Sequence, residues 1–314
     1  MDLYPSDTEE AVRAASEAYL RDHIPLNAAR LRPDGIWTDM AAMGWFGIAL
    51  PEDIGGVAMS HGAEALVLAE LGRYLAPIGT IAMAVAANVA IATGDQALAM
   101  DILAGTRRVA LGLTEAGGQL RVLEVRGANM VLVTGDNGAS LYDAPVDWTI
   151  NDCLDPSTSQ AIIALPPKAR IQTTGSRAAN HQRLVAAAFA LGCAEAARDM
   201  AAGYARVREQ FGRPIGSFQG VKHPCADMAV RCSAARAQLL YAALTLDSAR
   251  EDAAFQIAVA KRLADAAAIG NGRASIQVHG GMGMTDECDA HLVLKRAHLL
   301  QFISPVSTAM LLAA

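Results

Sequence analysis

Two long apolar stripes at helical spacing dominate the chain. Leu184, Ala187, Leu191, Ala194, Ala197, Ala201, Tyr204, Val207 and Phe211 recur by threes and fours, and so do Val221, Cys225, Met228, Cys232, Ala235, Leu239, Ala242 and Leu246. Stripes of that length on either side of a short connection predict antiparallel neighbours in a bundle, the first helix starting near Asn180. A third long helix is expected from about Glu251 to Val278, stopping at Gly280-Gly281. Before residue 110 the pattern is also helical. Ser6 or Asp7 can cap an amphipathic segment opening at Thr8-Glu9-Glu10, and Pro25 and Pro33 interrupt the chain beyond it. Met43 to Gly56 reads as a loop, and two more helices are expected, from about Gly62 to Leu75 and from Thr80 to Ala104. Between these helical regions lie five short β-type runs, Val109–Thr114, Leu120–Val125, Met130–Thr134, Ser140–Tyr142 and Gln160–Leu165, separated by Gly, Asn, Asp and Pro. The pattern therefore predicts a mostly α chain in three parts: a helical domain over 1–109, a small β domain over 110–171, and a bundle of long helices over 172–314.

Composition narrows the function classes. At 314 residues and 53% hydrophobic content the chain can bury substantial cores. Its net charge is −6 and no basic residues cluster, so nucleic acid is not an expected partner. Thr80 to Ala92 is uncharged but too short to span a membrane, and residues 1–7 lack the basic-then-apolar order of a signal peptide. The five cysteines form no CxxC and no zinc-type pairing with histidine, so no metal site is expected and the thiols read as those of a reduced, cytoplasmic protein. Cys225 and Cys232 fall on one helix face, as small core residues do. His181, His223, His279, His291 and His298 have no nucleophile–base pattern around them and read as packed or surface residues.

Two segments carry candidate chemistry. Arg208-Glu209-Gln210-Phe211-Gly212-Arg213-Pro214-Ile215 ends one long helix, and Gln277-Val278-His279-Gly280-Gly281-Met282-Gly283 ends another. At a helix C-terminus Arg208 can complement the dipole, or its planar guanidinium can bind a phosphate. Phe211 can pack on a nucleotide or close the bundle seam. Gly280 and Gly281 can be an ordinary helix stop, or can let backbone approach a pyrophosphate closely beside Gln277.

Those segments resemble the acyl-CoA dehydrogenase family of flavoproteins. Tyr204 to Gln219 is similar to the family's Y-x-x-x-R-x-Q-F-G-x-P-I-x-x-F-Q, and Gln277 to Glu287 to Q-x-x-G-G-x-G-x-x-x-E. Leu50 to Gly56 looks like its PE-x-x-GG loop, Glu70 to Arg73 like the following helix, and Thr114-Glu115 like the start of its TEP-x-x-GSD segment. The resemblance implies FAD as cofactor and an acyl-CoA thioester as substrate, with an electron-transfer flavoprotein as electron acceptor. It also implies that Arg208, Phe211, Gln277, Gly280 and Gly281 serve the ADP part of FAD, with Arg208 reaching a neighbouring subunit's cofactor. Arg183 falls at an active-site arginine of the family, although an arginine near a helix start is by itself an ordinary surface residue.

One departure is decisive for the expected role. The family removes a substrate proton with a glutamate at one of two places, and here those places hold Ser304, after Lys295-Arg296-Ala297, and Gln182. Neither is a carboxylate base at neutral pH. The β region is also shortened and lacks the family's W-[IV]-[TS]-N strand after Thr114-Glu115. The resemblance thus points to the non-catalytic half of a heteromeric enzyme of α2β2 type, as in bacterial steroid and bile-acid side-chain degradation. Its partner would be a full-length acyl-CoA dehydrogenase subunit that supplies the glutamate. A self-sufficient homo-oligomer using Glu115 or Asp286 as base, and a flavin-free binding homologue, are the alternatives.

Overall fold

The computed structural model describes residues 4–29 and 35–312. The break expected at Pro33 and the first three residues lie outside them. Among the described residues the N-terminal region holds five α-helices: α1 (Asp7–His23), α2 (Ile36–Ala42), α3 (His61–Arg73), α4 (Gly79–Ala92) and α5 (Gln96–Leu103). Ser6 caps α1 in a reciprocal box with Glu9, so two orphan helix-end donors are satisfied at once. The apolar stretch from Thr80 to Ala104 is two helices rather than one. Gly94 turns the chain and the Asp95 side chain accepts from the Leu98 amide to start α5. Nearly every residue of α4 is buried, so the sequence offers no polar face from which to locate that corner.

A six-stranded sheet follows: β1 (Val109–Glu115), β2 (Gln119–Leu123), β3 (Met130–Gly135), β4 (Gly138–Asp143), β5 (Gln160–Ala164) and β6 (Ile171–Thr174), in the order β5-β2-β1-β3-β4-β6. The first five correspond to the five apolar runs, and β6 is an addition. It is a short edge strand of alternately half-buried and exposed residues, Ile-Gln-Thr-Thr, with little apolar signal. Only β1 and β3 pair in parallel. Strand alternation gives the sheet two buried faces. Leu111, Leu123, Leu132 and Leu141 join the helices in the main core, while Ala110, Leu120, Val122 and Val131 form a smaller core beneath Trp148.

The C-terminal half is built on α6 (Arg177–Val207), then the two-stranded ribbon β7 (Glu209–Gln210) and β8 (Arg213–Pro214), α7 (Gln219–Asp247), α8 (Ala253–His279), α9 (Ala290–Gln301) and a short α10 (Thr308–Leu312). The α7 stripe is buried at Met228, Cys232, Ala235, Leu239 and Ala242, as its periodicity requires. The α6 stripe is buried from Leu184 to Ala201, and then leaves the core. Val207 is 75% exposed and Phe211, in the ribbon turn, 92%. Against the N-terminal domain α6 packs at backbone contact: a Cβ on Gly192 would sit 1.9 Å from the Ala69 carbonyl oxygen, and one on Gly72 2.2 Å from that of Phe189. One side chain ties all three regions. Arg296 of α9 is fully buried, donates to the Ala76 carbonyl of the helical domain at 2.8 Å, and binds Asp155, Ser157 and Thr158 in the loop before β5. Among the described residues no helix is long and apolar enough to cross a membrane.

Candidate functional site

The sequence-derived candidates fall into two groups at opposite ends of α6. At its C-terminal end stand Arg208, Phe211, Gln277, Gly280 and Gly281. Because α6, α7 and α8 alternate in direction, α6 and α8 end on the same side of the bundle. The Tyr204 ring stacks on His279 there, with centroids 4.5 Å apart. That stack sets the ribbon after α6 beside the glycine turn after α8. Phe211 and Gly212 both take positive φ, 55° and 77°, which closes the ribbon in a two-residue turn and lifts the phenyl ring clear of the core. The ring meets only the edge of Phe218, whose face carries the Arg213 guanidinium at 4.2 Å. Arg208 and Gln277 are exposed, and neither side chain has a hydrogen bond or ion pair among the described residues. Gly280 has φ 63°, and a Cβ placed on Gly280 or Gly281 would meet no atom within 4 Å, so bare backbone faces outward. A cation, an exposed aromatic ring and open backbone at one end of the bundle supply donors for phosphate and a face for stacking.

The other group lies at the first turns of α6. Gln182 and Arg183, the end of β1, the β3–β4 turn and the segment after α9 enclose a cavity of about 310 Å³. The two places from which a base could act meet here. Gln182 Nε2 donates to Ser304 Oγ at 2.9 Å, and the Gln182 Oε1 is buried without a hydrogen-bond partner. Ser304 takes φ 49°, a strained value for a residue with a side chain. Arg183 is buried, donates to Asn180 Oδ1 at 2.9 Å and lies 3.6 Å from Asp136, with its Nε left unpartnered. Burial pushes its guanidinium below the ordinary value, and Asp136 acts against that shift. It is therefore a cavity residue, not a surface one.

Thr114, Phe302 and Pro305 also wall an adjoining cavity of about 570 Å³, which holds Glu115, Arg121 and His298. Glu115 is engaged there by Arg121 at 2.6 Å. Asp286 is 3.6 Å from His291, at the opposite end of the bundle, and cannot serve the Gln182 cavity of its own chain. From Gln182 to Arg208, α6 rises about 39 Å at 1.5 Å per residue. The structure thus places the five cofactor candidates at one end of the bundle and brings Gln182, Arg183 and Ser304 together at the other.

Sequence reasoning missed a third cluster. His61, at the start of α3, Glu64 and His181 converge where the helical domain meets the bundle, backed by Asp247. His181 is indeed packed, as read, but against a carboxylate. His61 and Glu64 are one turn apart on α3, but His181 and Asp247 lie more than a hundred residues from them in sequence, which no local pattern records.

Comparison with known proteins agrees with this architecture. Residues 6–106 match the model of the acyl-CoA dehydrogenase N-terminal domain, and residues 174–304 that of the C-terminal domain. Acyl-CoA dehydrogenase FadE34 of Mycobacterium tuberculosis is 35% identical over 286 residues, which is 87% of this chain but only 40% of that relative's length. Two solved structures superpose with TM-scores of 0.82. One is the steroid ACAD Tcur3481-Tcur3483, at 24% identity over 98% of this chain and 96% of that one. The other is the ChsE4-ChsE5 complex from Mycobacterium tuberculosis, at 21% over 100% and 97%. Those two likenesses are of fold. Taken with the two domain matches and the FadE34 identity, they lead to one conclusion: the chain belongs to the acyl-CoA dehydrogenase family.

Proposed function

We propose that this chain is a subunit of an FAD-dependent acyl-CoA dehydrogenase that helps hold FAD but does not abstract the substrate proton. The observation that carries this reading is the hydrogen bond between Gln182 and Ser304. Both positions from which the family's base acts are present, and they are occupied by a neutral pair bonded to each other at 2.9 Å. Neither group accepts a proton at neutral pH. Glu115, on the next cavity, is committed to Arg121.

In an acyl-CoA dehydrogenation, bound FAD supplies the hydride acceptor. Arg208 would give the pyrophosphate a planar, permanently charged donor, and the open backbone at Gly280 and Gly281 would add amide donors without steric hindrance. Phe211 would offer its exposed face to the adenine, and Gln277 a polar contact beside it. All five lie at the far end of the bundle from their own chain's cavity, so the cofactor they would serve is a partner's, which would also supply the glutamate. A partner of the full-length family type in an α2β2 assembly fits, as do an acyl-CoA with a bulky group such as a steroid side chain and an electron-transfer flavoprotein as acceptor. FadE34 leaves more than half of its own length outside the match, room for a second unit of this size in one chain. A cytoplasmic location suits such a complex.

The test is co-expression with an adjacently encoded acyl-CoA dehydrogenase that carries the glutamate, followed by flavin absorbance, mass and turnover. One FAD per heterodimer, a colourless chain alone, and loss of flavin on Arg208→Ala are the expected results. A yellow, active homo-oligomer of this chain would refute the reading, and a stable complex without flavin would leave only a scaffolding role.

A further inference from the structure

The His61, Glu64, His181 cluster has the donor set of a metal centre, and the flavin reading makes no use of it. One ligand atom from each of the three residues lies within 4.8 Å of the others. His181 Nε2 and Glu64 Oε2 are 2.8 Å apart, and both residues are more than nine-tenths buried. The His61 ring stands edge-on to His181 at 5.4 Å. His61 Nδ1 is 2.5 Å from Asp247 Oδ1, and Asp247 also accepts from the His61 backbone amide, which fixes the ring and leaves Nε2 with its lone pair. A carboxylate behind a ligating histidine is the usual way a metal site sets tautomer and orientation. The His181 ring is held through Nε2 alone, because its Nδ1 is buried without a hydrogen-bond partner.

Charge and geometry agree with a dication. Glu64 and Asp247 bring two negative charges to a site of two imidazoles. Arg177 bears on His61 from the start of α6, and Glu9 is linked to the same corner through Ser60. Burial would raise the Glu64 carboxyl, but the charges of His181 and His61 outweigh it and hold it below its ordinary value. Around a tetrahedral ion with bonds of about 2.0–2.1 Å, ligand atoms stand roughly 3.3 Å apart, a closure that side-chain rotation can supply.

We propose that His61, Glu64 and His181 bind one divalent cation of the zinc class, oriented by Asp247, which clamps the N-terminal helices to the bundle. Two neutral imidazoles, one carboxylate and a fourth, open position form the site. A histidine ligates a metal only in its neutral form, so affinity falls with acid.

The experiment uses the untagged full chain stripped with chelator. It is titrated with Zn²⁺ by calorimetry and with Co²⁺ by visible absorption, at pH 7.5 and 6.0. One equivalent should bind at pH 7.5, with a tetrahedral Co²⁺ d–d band and a higher melting temperature. Asp247→Asn should weaken binding about 10- to 100-fold. His61→Gln should abolish the band while circular dichroism stays native. His61 sits at the half-buried rim, so this variant keeps the test decisive even where His181→Gln does not fold. No stoichiometric binding, a thiolate charge-transfer band, or affinity unchanged in His61→Gln would each overturn the proposal.

Discussion

Replacing Arg296 with methionine tests how the three regions are held around the Gln182 cavity. The guanidinium is fully buried and holds Asp155, itself fully buried, while donating to Ala76 O at 2.8 Å and Ser157 Oγ at 2.7 Å. Methionine fills much of the space but supplies no donor. Asp155 would then keep only the Ser157 amide and hydroxyl and Thr158. Breaking a buried ion pair from one side costs about 3–5 kcal/mol, because the remaining charge stays in low dielectric without a partner. Against a total stability of roughly 5–15 kcal/mol, that is a large fraction. With a urea slope of about 3 kcal/mol/M, the midpoint should fall by about 1 M or more. The double variant Asp155→Leu/Arg296→Met should recover most of the loss, since no lone charge is then buried.

The pH dependence has a definite sign. Burial would raise the Asp155 carboxyl, but Arg296 and Ser157 outweigh it and hold it below its ordinary value. The pair's contribution is therefore complete above the unfolded carboxylate value near 3.9 and is lost as pH falls through the lower folded value. In the single variant only the hydrogen bonds from Ser157 and Thr158 still oppose burial and Asp155 takes up its proton at higher pH, so the gap between wild type and variant narrows on acidification. A loss below about 1 kcal/mol, or no recovery in the double variant, would refute this account.

Two further outcomes rest on packing and burial. Gly192→Ala should destabilise by about 1–3 kcal/mol in the same urea assay, because its methyl would sit 1.9 Å from the Ala69 oxygen and force α3 and α6 apart. Burial pushes the Cys193 thiol up to about 12 and the Cys232 thiol up to about 11. At pH 8 a thiol reagent should therefore modify the half-buried Cys153, Cys225 and Cys288 in the native protein, and the other two only after denaturant is added.

The long bundle helices are legible in the sequence because twenty or more residues of strict periodicity leave little room for another reading. The ribbon after α6 is not, since Phe211 continues the apolar spacing of α6 while the backbone has already turned away. Likewise β6 carries too few apolar residues, and α4 too many, for either boundary to show. The candidate cofactor residues stand out as motifs; their meeting at one end of the bundle depends on Tyr204 reaching His279, a tertiary contact. The segment around Ser304 is conspicuous only for its missing glutamate. Arg296, next to Lys295, gives no sign in the sequence of being fully buried.

The separation of the two groups along α6 has an evolutionary consequence. Substitutions more than about 10 Å apart with no shared partners act almost independently, and here a rigid helix of about 39 Å lies between. Loss of a carboxylate at Gln182 or Ser304 therefore goes unnoticed by the ribbon and the glycine turn, and selection can keep one end while the other drifts. Under the proposed role, a duplicated gene on this scaffold can shed its chemistry and still serve a sister subunit, and an engineer can rewrite the Gln182 cavity with the far end left as it is.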